Sequence, residues 1–97
     1  MHIQSVIRTV TSHEIAHFHY PAYDVLPMEE DRINRMMDLK GAMAVSNTEH
    51  EPIGIVVQLN NGDEVEVMSD LIEVEDDVVE VKGAHLIPIR AILRVEV

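Results

Sequence analysis

The chain has 97 residues, 46% of them hydrophobic, and sets 18 acidic side chains against 7 basic ones for a formal net charge of −11. One domain of this size buries about two thirds of the surface its unfolded form exposes, which allows a single modest core and no deep cleft between lobes. The acidic balance argues against a polyanion such as nucleic acid, whose phosphates need clustered Lys or Arg. The absence of cysteine excludes disulfides, thiolate zinc sites and cysteine nucleophiles.

That absence also suits a reducing compartment. No run approaches the roughly 18 apolar residues of a membrane span, so the expected location is the cytoplasm. Phe18, Tyr20 and Tyr23 are the only aromatics, so the core must be built from Val, Ile, Leu and Met. The expected organisation is a single domain, with residues 1–27 as an N-terminal extension and 28–97 as a helix followed by β structure.

Within the extension, His13-Glu14-Ile15-Ala16-His17 matches the His-Glu-x-x-His pattern of zinc hydrolases. The match works only on an α-helix, where histidines at i and i+4 share a face and Glu14 can activate a water. A third ligand is harder to find. His19 points elsewhere on a helix that Tyr20-Pro21 must end, leaving His50, His85 or an acidic side chain. A hydrolase also needs a substrate cleft, and the remaining chain is committed to a core. The expectation is therefore no catalytic residue and no enzyme. As a strand, the same stretch would put Ile15, His17 and His19 on one face and Ala16, Phe18 and Tyr20 on the other. His13, His17 and His19 then stand as a candidate zinc or nickel chelate without chemistry, or simply as a polar face.

Pro27, acidic Glu29, Glu30 and Asp31, and the stripe Ile33, Met36, Met37, Met43 and Ala44 predict a helix over 28–46, stopped near Asn47. Its Met face is expected on the sheet. Gly41 weakens the helix by up to about 1 kcal/mol unless something packs closely there or the helix bends. Glu49-His50-Glu51 places an imidazole between carboxylates in the next connection, with no nucleophile to serve.

From Ile53 the period becomes two. A three-residue loop with Gly62 in the left-handed conformation pairs Val57 with Val65 and Ile55 with Val67, keeping carboxylates off the apolar face. A two-residue turn at Asp76-Asp77 pairs Val74 with Val79, Ile72 with Val81 and Glu73 with Glu80. Lys82-Gly83-Ala84-His85 turns the chain again, and Pro88 demands an edge or a strand end. One tight turn at Arg90-Ala91-Ile92 precedes a last strand, Leu93 to Val97. Five short strands after a helix favour an α+β fold in which residues 53–97 close into a small antiparallel barrel, with the extension adding a strand.

The strings VVQLNNGDEVEV and VVEVKGAHLIPIRAILRVEV resemble the small Sm-like barrel and the related Rho-binding antiterminator proteins. Residues 32–97 also resemble a family of short, uncharacterised bacterial proteins in which a helix feeds such a barrel. The resemblance implies an RNA-associated role that Asp70 and Lys82, poor substitutes for the RNA-binding residues, and the acidic charge do not support.

The acidic run that includes Glu73, Asp76, Asp77 and Glu80 could steer a basic protein partner or merely solvate the strands. Arg90 and Arg94 are candidates to pair with it. Met36 and Met43, or the apolar C-terminal strand, are the expected docking surface of a domain that works by protein contact or self-association.

Overall fold

A computed structural model describes residues 7–97; the first six residues of the extension lie outside it. β1 (Arg8–Thr11) leads into a 3₁₀ helix (Ser12–His17), an irregular segment and α1 (Glu29–Glu49). There follow β2 (Ile53–Gln58), β3 (Glu64–Ser69), β4 (Ile72–Val74), β5 (Val78–Val81), β6 (His85–Pro88), a second 3₁₀ helix (Ile89–Ala91) and β7 (Ile92–Glu96).

The α+β class holds, but the strands do not close into the expected barrel. They form a four-stranded sheet in the order β1-β3-β2-β7 and a three-stranded sheet in the order β4-β5-β6. The break lies at Ser69, which is buried at the end of β3. Its hydroxyl accepts the N–H groups of Lys82 (3.2 Å) and Leu71 (3.3 Å) and donates to the Leu71 carbonyl (2.7 Å). A side chain thus satisfies backbone groups at the corner where a continuous ladder would have run. The extension does add a strand, and β1 pairs in parallel with β3, Val10 opposite Val67.

Both hairpins take the expected registers. Val57 faces Val65 and Ile55 faces Val67, with Gly62 at φ 92°. Across β4 and β5, Ile72 faces Val81, Glu73 faces Glu80 and Val74 faces Val79. Pro88 sits at the end of β6, an edge strand, where a missing N–H costs no ladder bond. The core is aliphatic: Leu39, Ile53, Ile55, Val57, Val67, Ile72, Val79, Ile87 and Ile92 are all fully buried.

α1 takes the expected face only in part: Met36 and Met43 pack against the core, but the rest of the stripe does not. It runs past Asn47 to Glu49 and ends with His50 at φ 57°, whose N–H bonds the Ser46 carbonyl. Its buried positions are Arg35, Leu39, Ala42 and Ser46, while Ile33 (55%) and Met37 (65%) are exposed. The small Ala42 and Ser46 let the helix lie close on β7 and β4, and Arg35 turns inward because a partner awaits it there. Gly41 is not a close-approach position: a methyl group on it would meet nothing within 4 Å.

Candidate functional site: a charged cleft beside α1

Asp24 and Arg35 organise the segment between the first 3₁₀ helix and α1. The Asp24 carboxylate accepts the Leu26 N–H at 2.8 Å and takes both ends of the Arg35 guanidinium, from Nη1 at 2.9 Å and Nη2 at 2.7 Å. Arg35 Nη1 also donates to the Ile92 carbonyl at 2.9 Å, so one buried guanidinium ties the segment, α1 and β7 together. Burial of Asp24 pushes its pKa up, but the hydrogen bonds from Arg35 and Leu26 and the charges of Arg35 and Arg32 outweigh it. The carboxyl is left below its ordinary value. Arg35 Nε is buried without a partner among the described residues, an exception among buried polar groups.

The second 3₁₀ helix is the hub around which the rest converges. The Ile89 N–H bonds the Asp77 carbonyl at 2.9 Å, fixing the β4–β5 turn. The Arg90 carbonyl accepts the Val25 N–H at 2.8 Å, and Arg90 Nε donates to the Pro21 carbonyl at 2.7 Å. Between these elements lies a cleft of about 360 Å³ lined by Arg32, Arg35, Met36, Asp76, Asp77 and Arg90, among others. That volume falls at the small end of ligand-sized sites. Arg32 spends Nε on the Leu26 carbonyl at 2.7 Å, with Asp24 3.7 Å away. Among the described residues, neither Asp76 nor Asp77 forms an ion pair, and the Nη atoms of Arg90 have no hydrogen-bond partner. Asp76, Asp77 and Arg90 therefore share one cleft without pairing with one another, beside the Asp24–Arg35 pair.

Three of the six residues expected on the interaction surface, Met36, Asp76 and Asp77, meet here. The others do not. Glu73 and Glu80 face each other across β4 and β5. Met43 packs on the core with its sulfur 3.2 Å from the Val74 N–H, so it is not part of an open Met face. Arg90 reaches the acidic turn's neighbourhood, whereas Arg94 pairs with Glu96 on its own strand at 3.1 Å. The apolar C-terminal strand borders a separate groove, in which Val95 and Val97 lie beside Met37 and Val45. Asp24, Arg32 and Arg35 were missed as site residues; the available signal was two arginines three apart on the first half of a helix.

The histidine stretch is neither an α-helix nor a strand. In the 3₁₀ helix Ser12–His17, three residues per turn bury Ser12 and Ile15 and put i+4 about 120° round from i, so His13 and His17 do not share a face. Glu14 is engaged as a cap, accepting the Thr11 N–H at 3.4 Å and its hydroxyl at 3.5 Å. His19 lies beyond the helix, its carbonyl bonded to the Asn60 N–H at 2.9 Å. Among the described residues no three His, Asp or Glu side chains are grouped to hold a metal ion. The expected set of His13, His17 and His19 is thus not brought together. His13 instead meets His85, ring centroids 6.1 Å apart and nearly perpendicular. Searches against family models, curated proteins and solved structures find no match to this chain.

Proposed function

We propose that the chain is a non-enzymatic interaction domain that takes a short segment of a partner protein into the cleft beside α1. The observation that carries this reading is the coexistence there of Asp76 and Asp77, which form no ion pair among the described residues, with the Nη end of Arg90. A segment with a basic and an acidic residue close together would satisfy both walls, and an apolar side chain between them would cover Met36, Val78 and Ile89. A second copy of the chain is the poorer occupant, because each copy brings a charge of −11. The capping role of Glu14 and the divergence of His13 and His17 argue against hydrolysis at the histidine motif.

The Sm-like, RNA-associated reading rests on the sequence resemblance alone. Its RNA side is disfavoured, because the arginines of the cleft share it with three aspartates.

The test is affinity capture with the wild-type chain and the Arg90→Glu and Asp77→Lys variants, each first shown to be folded by circular dichroism. A defined protein retained by the wild type and lost from both variants is expected. Identical capture by all three overturns the reading, as does a wild-type chain that retains only copies of itself.

A further inference from the structure

The geometry points to a second site, independent of the cleft: His13 and His85 form a two-imidazole site for a borderline divalent cation of the zinc and nickel class. The two rings come from different elements. His13 projects from the exposed side of the 3₁₀ helix whose Ser12 and Ile15 are buried, and His85 opens β6, paired with Val81. The helix packs against β6, so both rings stand on a fixed frame.

Two imidazole nitrogens about 2.1 Å from a tetrahedral ion place their ring centroids roughly 5 Å apart. The observed 6.1 Å is about 1 Å from that, within reach of side-chain rotation. Gly83 supplies the room. It stands at φ 88°, and a methyl group there would lie 3.1 Å from His85 Cδ2, 3.3 Å from His85 Nε2 and 4.0 Å from His13 Cε1. The edges of both rings therefore border the space that this residue leaves empty. The following Ala84 holds the turn at φ 64°, with its N–H bonded to the Val81 carbonyl at 3.1 Å. The chain's charge of −11 draws cations towards it. Water completes the coordination shell, which leaves the ion with open positions. His17 and His19 take no part.

The experiment is a zinc chloride titration of the tag-free, full chain, followed by calorimetry and by a long-range proton–nitrogen spectrum that resolves the individual imidazoles. His13 and His85 should shift together and saturate at one zinc per chain. Substituting either His13→Ala or His85→Ala should weaken binding on the order of tenfold or more, a loss typical of damaged metal sites. His17→Ala should change it less than about twofold. His13 is exposed, so its variant keeps the fold even if His85→Ala does not. Absence of saturable binding overturns the proposal. So do equal shifts of all the imidazoles, or a His17→Ala loss as large as that of His13→Ala.

Discussion

The two halves of α1 hold the same helix to the same body by different chemistry. The N-terminal half is fastened by a charge, Arg35, gripped by Asp24 and the Ile92 carbonyl, with Arg32 and Met36 beside it on the cleft. The C-terminal half is fastened by shape: Leu39, Ala42 and Ser46 bury against the sheets, while Met37, Gly41 and Val45 border an open groove with Val95 and Val97. An ionic anchor is directional and fixes where the preceding segment lies. An apolar anchor fixes only how close the helix sits. The cleft follows from the first, because Asp24 could not hold Arg35 unless the segment from Pro21 to Leu26 wrapped over the second 3₁₀ helix.

The largest expected effects separate the two anchors. Leu39→Ala removes a fully buried side chain and should cost roughly 3 kcal/mol in denaturant unfolding, about equally at pH 7 and pH 4. Asp24→Asn leaves a buried guanidinium without its counter-charge and should cost on the order of 3 kcal/mol at pH 7. Its cost depends on pH. The folded-state pKa of Asp24 lies below the unfolded value, so its contribution is present above the unfolded pKa of about 3.9 and is lost as pH falls through the folded value. The gap between wild type and Asp24→Asn should therefore narrow below about pH 4, while that for Leu39→Ala should not. Parallel pH profiles for the two variants would show that the N-terminal half is held by packing after all.

The same contrast explains what could be read from the sequence. The β2–β3 and β4–β5 registers were legible because period-two alternation and the turn residues agree, and a slip at Gly62 or Asp76-Asp77 would have put Glu64, Glu66 or Glu80 on an apolar face. The face of α1 was legible only in part, at Met36 and Met43. A hydrophobicity stripe counts Met37 as inward and Arg35 as outward, and only the long-range pair with Asp24, eleven residues away, reverses them. The same holds for the separation into two sheets, where the Ser69 hydroxyl bonds the backbone of Lys82, thirteen residues away, and for the histidine stretch, where three residues per turn replace 3.6. The contact of His13 with His85 joins residues 72 positions apart, and no local pattern carries it.

Gly41 sharpens the comparison from the apolar side. It lies in the shape-held half, yet its missing side chain faces open space and its backbone is helical. Gly41→Ala should therefore stabilise the chain by up to about 1 kcal/mol, by the difference in helix propensity alone. A destabilised variant would mean that the groove beside Val95 and Val97 needs the close approach that only glycine permits.

The smallest effect belongs to the rim of the charged half. Glu73 and Glu80 stand directly opposite on β4 and β5, both exposed, just beyond the turn that carries Asp76 and Asp77. Like charges in that position oppose pairing, so Glu80→Lys should replace a repulsion by an attraction and gain a few tenths of a kcal/mol. The gain should shrink as salt is raised, since exposed charges are screened. A cation or basic partner lying across the two carboxylates, one on β4 and one on β5, would relieve that repulsion. A partner captured through the cleft should then be held less tightly by Glu80→Lys, although the variant itself is the more stable protein. If stability and capture rise together, the rim carboxylates belong to solvation and the contact ends at Asp77.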